Sequence, residues 1–343
     1  MDALVEELHR SRTLEDDGLL MLLKTQDRQI VDNLHSRARE TTVQQFGKDV
    51  YLRGLIEWSN ACRNDCLYCG IRKSASVPRY TLSEEEILAS CDHAWRLGIR
   101  TFVLQGGENP AAAAGLARTV ALLRSRYPET AITLSLGELP FETYRLLRES
   151  GANRYLLRHE TASAAHYMQL HPAEMRLETR LQCLQWLKEL GYQTGMGMMV
   201  GSPFQTVEDL LEDIRLMERF QPQMIGIGPF VPCAGTPMAT FPAGSIDLTL
   251  RLYSILRLMH PQALIPSTTA LSALNPAARM EGILAGANVL MPVFTPLKYR
   301  PDYALYNGKT GLGTEAAENL ENLKKELAGI GYHVSDSRGD YKA

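Results

Sequence analysis

Three cysteines lie close together in the stretch NACRNDCLYCGIRK, at the spacing Cys62-x3-Cys66-x2-Cys69. Thiolates in one glycine-containing loop can converge on a single metal centre. A tetrahedral zinc site needs a fourth ligand, yet the nearest histidines lie in a predicted helix and after a distant strand. A [4Fe–4S] cluster held by three thiolates fits better, because one iron then keeps a position where chemistry can occur. Three unrelated core cysteines are the remaining alternative, and the polar loop argues against it.

Many of the other unusual polar residues follow predicted strands. The cysteine loop comes after the first strand, and further polar residues end four later ones. In a parallel α/β fold the carboxyl ends of the strands meet at one rim, so we expect these residues to share a site. They are Gln105 and Glu108 after the second strand, Ser135 and Glu138 after the third, Arg158, His159 and Glu160 after the fourth, and Thr268 and Thr269 after the seventh.

The elements that must position these residues alternate along the chain. Eight β-rich stretches are separated by amphipathic helical segments, which predicts an α/β fold of the parallel (β/α)8 TIM-barrel type. An open doubly wound sheet is the alternative. The predicted strands cover residues 50–58, 100–105, 131–136, 153–158, 193–200, 223–230, 263–269 and 287–292, and the clearest helices cover 82–98, 139–151, 206–220 and 246–259.

The first 46 residues differ from the rest, because they contain helical patterns and no strand-like run. We therefore expect an N-terminal helical extension at 1–46. Residues 47–343 are expected to form one structural domain, the barrel with a C-terminal helix. No linker or internal repeat indicates a second domain.

Composition excludes several classes of function. The 343 residues include 36 basic and 39 acidic side chains, a net charge of −3, which gives no sign of a nucleic-acid surface. No apolar run is long enough to span a membrane, and the start resembles no signal or transit peptide. We expect a cytoplasmic protein with reduced thiols. The scattered cysteines Cys91, Cys183 and Cys233 are then expected to be small buried apolar residues.

The cysteine motif resembles that of the radical S-adenosylmethionine (SAM) enzymes, with the aromatic Tyr68 directly before Cys69. That resemblance implies that the amino and carboxylate groups of SAM chelate the open iron. One electron from the reduced cluster then breaks a sulfonium C–S bond and yields methionine and a 5′-deoxyadenosyl radical. The resemblance therefore implies two cofactors, one [4Fe–4S] cluster and SAM, and a reducing electron donor as a partner.

The same resemblance suggests roles for residues at the rim. Gly106, Gly107 and Glu108 resemble the family's GGE element, which accepts hydrogen bonds from the methionine ammonium; a simple turn is the alternative. Glu160 would hold the ribose hydroxyls, or else pair with a neighbouring arginine. Arg180 would bind the methionine carboxylate, or else lie on a solvated helix face. The full set of expected cofactor-binding residues is Tyr68, Gln105, Gly106, Gly107, Glu108, Ser135, Glu160, Arg180 and Met199, the last of which is equally good core filler.

Longer segments that occur in order across residues 56–270, among them FVLQGGENP, RYLLRHETA and IGIGPFVP, resemble the HydE-type maturases of [FeFe]-hydrogenase. The resemblance extends over residues 20–310. This resemblance implies assembly of the hydrogenase two-iron subcluster from an iron–carbonyl–cyanide–cysteine complex. It also implies two partner maturases, HydG as the supplier of the substrate and HydF as the acceptor of the product. An amino-acid mutase such as methylornithine synthase and a biotin-synthase-like enzyme share the architecture, and an iron–sulfur carrier is the non-enzymatic alternative.

Six further residues are expected at the substrate cavity of such an enzyme. The resemblance implies that this cavity binds anions and amino acids. The alternatives are an internal ion pair for the strand arginine, β-propensity for the threonines, and packing for the tyrosines. The six are Arg53, Arg158, Thr268, Thr269, Tyr303 and Tyr306.

The C-terminal segment departs from some relatives, which carry extra cysteines there for a second cluster. Residues 307–331 contain no cysteine. We therefore expect a single iron–sulfur cluster.

Overall fold

Parallel strands joined edge to edge form the centre of the fold. The structure is a computed structural model that describes residues 1–309 and 317–342. One sheet has the order β2-β3-β4-β5-β6-β8, a second β10-β1-β11, and a third β7-β9. The strands are β1 Asp49–Leu52, β2 Gly54–Ser59, β3 Thr101–Gly106, β4 Ala131–Ser135, β5 Arg154–Leu156, β6 Gln193–Met196, β7 Met199–Val200, β8 Met224–Ile225, β9 Gly228–Pro229, β10 Val289–Leu290 and β11 His333–Val334.

Single bridges close these sheets into a ring. Leu264 continues from Met224 of β8, and a bridge between residues 266 and 289 leads on to β10. Val289 in turn pairs with Tyr51 of β1. A further bridge joins residues 55 and 293 and returns the ring to β2. The predicted (β/α)8-type barrel is thereby confirmed, and the open sheet is wrong.

Several predicted strands are shorter than expected. The seventh, predicted at 263–269, is reduced to isolated bridges at Leu264 and Pro266, in part because proline has no N–H to donate. The fifth and sixth are each split in two. At Gly197 a Cβ atom would lie 2.0 Å from the carbonyl oxygen of Gly226, so the backbones approach at a distance that only glycine permits. These breaks are at the carboxyl rim, where ligands would need space.

Helices surround the barrel and cover its strands. Two begin with complete capping boxes, Ser83 with Glu86 as predicted and Thr206 with Asp209. The helices are α1 Asp2–Ser11, α2 Asp16–Lys24, α3 Arg28–Phe46, α4 Glu84–Arg96, α5 Pro110–Ala113, α6 Leu116–Arg126, α7 Phe141–Glu149, α8 Ala164–Leu170, α9 Leu177–Glu189, α10 Val207–Phe220, α11 Ile246–Met259, α12 Thr269–Leu274, α13 Ala278–Leu284 and α14 Leu320–Gly329.

The N-terminal helices pack on the outer layer of the barrel rather than on its strands. Helices α1 and α3 contact α11, and α2 contacts α10 and α11. Arg251 of α11 donates to the carbonyl oxygen of Leu23 at 2.6 Å, which ties α2 to the layer. Among the described residues, none of the helices combines the length and apolarity needed to cross a membrane.

The amino-terminal end of the barrel is covered by the segment 335–341, which we call the tail. Arg154 at the start of β5 is fully buried, and its guanidinium donates to the tail. Its partners are the carbonyl oxygens of Arg338 and Gly339, at 3.1 and 2.8 Å, and the carboxylate of Asp340 at 2.6 Å. The tail therefore supplies the charge and the acceptors that a buried arginine requires.

This pairing makes the tail a measurable part of the stability. Asp340→Asn leaves the buried Arg154 without its counter-charge, so we expect the free energy of unfolding to fall by about 2 kcal/mol. Asp336→Asn is the matched control, because Asp336 is exposed on the same segment. Urea unfolding of the two variants measures the difference. Equal stability would show that the Arg154–Asp340 pair does not hold the tail in place.

Candidate functional site

The carboxyl ends of the strands surround a cavity of about 300 Å³. It brings together residues that are far apart in sequence, because parallel strands deliver their loops to the same rim. Seventeen of the predicted site residues line it: Cys62, Cys66, Tyr68, Cys69, Gln105, Gly106, Gly107, Glu108, Ser135, Arg158, Glu160, Arg180, Met199, Thr268, Thr269, Tyr303 and Tyr306.

Arg53 is the one predicted site residue that does not line the cavity. The prediction that it lies at the substrate cavity is therefore wrong. It lies on the same strand face as Leu55, which does line the cavity, but two residues nearer the amino end, about 7 Å lower. Its Nη1 contacts Met224 Sδ at 3.3 Å, and the side chain is buried. Burial, followed by the charge of Arg154, lowers the pKa of Arg53.

The cysteine loop is held by its own polar contacts. Arg79 donates from Nη1 to the carbonyl oxygens of Asn60 and Ile71, at 2.6 and 2.8 Å. The carboxylate of Asp65 accepts from Arg72 Nε at 2.6 Å. These bonds join the two ends of the loop, so its shape is set by protein groups as well as by any metal centre.

The three thiols fit an iron–sulfur cluster better than a single metal ion. Burial raises the pKa of Cys62 and Cys66, and it raises that of Cys69 to about 12. Thiolates form at such positions when a metal centre displaces the protons. Across residues 1–309 and 317–342, no three His, Cys, Asp or Glu side chains are grouped so that they could hold one ion. In a cubane, by contrast, each thiolate binds a different iron.

Glu108 lies at the centre of a buried charge cluster. Its Oε1 accepts from Arg63 Nε and Nη2 at 3.0 and 2.9 Å, and its Oε2 accepts the Glu138 backbone N–H at 2.8 Å. Arg180 approaches both acids, at 3.6 Å from Glu108 Oε2 and 3.1 Å from Glu138 Oε1. Burial raises the pKa of Glu138. Because Arg180 is only 7% exposed, the alternative of a solvated helix face is wrong.

Gly107 lets the strand end approach the cysteine loop. A Cβ atom at this position would lie 2.5 Å from the carbonyl oxygen of Ala61 and 2.8 Å from Cys62 Cβ. The backbone N–H of Gly107 also donates to the Ser59 carbonyl oxygen at 2.9 Å. The glycine is thus required by close packing against the first cluster ligand.

Glu160 has a backbone that side chains rarely adopt, with φ of 68°. Its N–H donates to the Gly197 carbonyl oxygen at 3.0 Å, and its own carbonyl accepts the Met199 N–H at 3.1 Å. Its carboxylate lies 3.0 Å from Arg158 Nη2. The ion pair considered as the alternative for Glu160 is therefore present, and it joins a cofactor candidate to a substrate candidate.

Tyr68 is oriented by a histidine that sequence patterns did not single out. His171 Nδ1 lies 3.0 Å from the Tyr167 carbonyl oxygen, which only accepts, so Nδ1 carries the proton. Nε2 therefore accepts the hydroxyl proton of Tyr68, at 3.2 Å. Burial, followed by the charge of Arg180, lowers the pKa of His171 to about 3 and keeps it neutral.

Hydrogen-bond donors line the rest of the cavity. The hydroxyls of Thr269 and Tyr306 bond to each other. Gln105 Nε2 donates to the Tyr303 hydroxyl at 3.3 Å. Lys309, another lining residue that sequence reasoning missed, forms a buried ion pair with Glu57.

Two of the missed residues, His171 and Lys309, have positions that depend on tertiary contacts. His171 follows the short helix α8, and Lys309 lies in an irregular segment after Tyr303. Arg63 lies inside the cysteine motif itself, between Cys62 and Cys66. A cation between two cluster ligands is the signal that could have identified it.

The chain is similar to known proteins in sequence and in fold. The sequence pattern of the Radical SAM superfamily matches residues 56–217. The chain is 41% identical over 307 residues to the [FeFe] hydrogenase maturase subunit HydE of Thermotoga maritima, covering 89% of this chain and 87% of that protein. It is 28% identical over 333 residues to a 3-methylornithine synthase of Methanosarcina acetivorans, covering 96% and 93%. The crystal structure of methylornithine synthase (PylB) superposes with a TM-score of 0.85 at 25% identity, covering 97% of each chain.

Close packing at Gly107 makes a specific prediction. Gly107→Ala places a methyl group against the cysteine loop, which costs about 1–3 kcal/mol or displaces the loop. We expect weaker cluster binding, measured as iron retained per chain after anaerobic reconstitution at limiting iron. Gly329→Ala is the control, because a Cβ there meets no atom within 4 Å. Full iron retention in Gly107→Ala would contradict the packing argument.

The neutral state of His171 predicts a pH dependence of stability. Its pKa is about 3 in the folded protein and about 6.5 in the unfolded chain, so below pH 6.5 the unfolded chain binds more protons. Folding therefore weakens as the pH falls, by about 2 kcal/mol from this residue between pH 7 and pH 5. His171→Gln should lack this part of the loss in urea unfolding, whereas His9→Gln on α1 should retain it. An identical pH dependence in His171→Gln would refute the assignment.

Proposed function

Because the chain belongs to the radical SAM superfamily, in the family of the HydE maturases, we propose that it assembles the two-iron subcluster of [FeFe]-hydrogenase. The proposed substrate is an iron–carbonyl–cyanide–cysteine complex, with the cysteine sulfur as the reacting atom. The observation that carries this proposal is the 41% identity to HydE over 89% of the chain.

The chemistry of the cavity supports a substrate that accepts hydrogen bonds. Outside the expected cofactor set, its side chains offer hydroxyls and cations, from Arg158 and Lys309 to the paired Thr269 and Tyr306. The buried carboxylate of Glu57 is bound by Lys309. Cyanide and carboxylate groups suit such a surface, whereas a free diamino acid would need unpaired carboxylates for its ammonium groups.

The expected cofactors have residues that fit them. When bound and reduced, the cluster supplies the electron that splits SAM into methionine and a 5′-deoxyadenosyl radical. Cys62, Cys66 and Cys69 would hold that cluster. Glu108 offers carboxylate oxygens to the methionine ammonium, and Arg180 offers its guanidinium to the carboxylate.

The adenosine half of SAM would lie against the fourth and fifth strand ends. Glu160 has two acceptor oxygens for the ribose hydroxyls. Tyr68 and Met199 provide apolar surface for the base, and Tyr68 is fixed by its bond to His171.

Apolar residues would keep water from the reacting atoms. The cavity wall contains Leu55, Leu157, Phe230, Val231 and Met291. Such surroundings suit a radical reaction, because they exclude water and limit side reactions.

The proposed reaction requires partners. By family, HydG would supply the iron complex, HydF would receive the product, and a low-potential reductant would supply electrons. We propose a cytoplasmic location for this reaction, because thiols that bind a cluster must stay reduced.

Substrate identity is tested by turnover of the reduced, cluster-loaded protein. The iron–carbonyl–cyanide–cysteine complex should be consumed together with SAM, and 5′-deoxyadenosine should form in proportion. Lysine is the comparison substrate, since the 3-methylornithine synthases share this fold. Consumption of lysine without any iron complex would replace the maturase by an amino-acid mutase.

The thiol assignment is tested in the same assay. Cys66→Ala should lose both the cluster absorbance and SAM cleavage, because two thiolates remain for the cluster. Cys183→Ala is the control, since Cys183 is buried in the core on α9. A Cys66→Ala protein that still forms 5′-deoxyadenosine would overturn the assignment of that thiol.

A further inference from the structure

Arg63 occupies an unusual place between two cluster ligands and the central carboxylate. Its backbone N–H donates to the Glu108 carbonyl oxygen at 2.8 Å. Its guanidinium directs both Nε and Nη2 to one oxygen, Glu108 Oε1. The Arg63 side chain is 53% exposed, whereas that of Glu108 is 5% exposed. A mobile, solvated cation is thus paired with a fixed, buried anion.

The hydrogen-bonding capacity of Glu108 is limited. A carboxylate oxygen has about two acceptor positions, and both positions of Oε1 are used by Arg63. Oε2 accepts the Glu138 N–H, and Arg180 stands beside it at 3.6 Å. A further cation that binds Oε1 must therefore displace the guanidinium of Arg63.

Charge balance leads to the same conclusion. The two acids Glu108 and Glu138 and the two bases Arg63 and Arg180 sum to a formal charge of zero. Without the Arg63 guanidinium, the remaining three carry a net charge of −1. One incoming ammonium group restores neutrality, and a half-exposed arginine can move into water at little cost.

We propose that Arg63 competes with the methionine ammonium of SAM for Glu108, and so weakens the binding of both SAM and the methionine product. The proposal rests on the role of Glu108 in the proposed function. Competition of this kind favours release of methionine after each turnover, because Arg63 can re-pair with Glu108 as methionine leaves.

The test compares ligand binding to the cluster-loaded protein and its Arg63→Gln variant. We expect the Kd for SAM to fall about two- to fivefold, the range that a half-exposed ion pair provides. The Kd for 5′-methylthioadenosine, which lacks the ammonium group, should not change. Arg126→Gln is the matched control, because Arg126 is 54% exposed and pairs with Asp92 far from the cysteine loop. Arg63→Met provides a second variant should Arg63→Gln retain less iron.

Three results would overturn the proposal. An unchanged Kd for SAM would show that the two cations do not compete, and a raised Kd would show that Arg63 itself binds the ligand. An equal fall in the Kd for 5′-methylthioadenosine would also overturn it, because the effect would then not involve the ammonium group.

Glu108→Gln separates this proposal from the one on which it rests. If Glu108 binds the ammonium, Glu108→Gln raises the Kd for SAM, and adding Arg63→Gln to it changes little. If Glu108→Gln binds SAM as tightly as the unmodified protein, the assignment of Glu108 fails and the competition fails with it. If Glu108→Gln weakens binding while Arg63→Gln alone does not strengthen it, only the competition is wrong.

Discussion

The site depends on three half-buried thiols whose pKa values are raised by burial. Burial opposes their charge, so the positive charge of an iron–sulfur cluster must displace their protons. The surrounding contacts fit this demand. Arg79 and Asp65 shape the loop before any metal binds, and Gly107 allows the next strand to pack against Cys62. The barrel therefore brings a preformed loop to its rim, and the cluster supplies the charge that makes the loop a site.

Sequence reasoning could predict much of this arrangement. The spacing of the thiols is local, and the rule that strands deliver their carboxyl ends to one rim located most of the cavity residues. Arg53 shows the limit of that rule, since alternation along a strand gives the face of a side chain but not its depth in the barrel. His171 and Lys309 show another limit, because they reach the site through loops and short segments whose course depends on tertiary contacts. Hydrophobic periodicity could not predict the strand breaks near Gly197 and Gly226 either, because they arise from two backbone segments in contact.

Proteins that share this fold can catalyse different reactions, and the residues that line the cavity determine which one. The barrel superposes on methylornithine synthase with a TM-score of 0.85, yet fold similarity alone does not transfer a substrate. In the proposed function, the substrate would be selected by lining residues outside the expected cofactor set, such as Arg158, Thr269 and Lys309. The ion pair between Arg158 and Glu160 connects the proposed substrate residues to the proposed cofactor residues. A change in the contacts of Arg158 would therefore also affect Glu160, which is proposed to bind the ribose.

The tail also sets the order in which the protein can be completed during synthesis. Arg154 leaves the ribosome 186 residues before Asp340 does, and until then its charge has no counter-ion at the base of the barrel. Residues 60–73 are translated long before the residue that completes this buried pair. Iron delivered to a nascent chain would therefore meet the cysteine loop before the Arg154–Asp340 pair has formed.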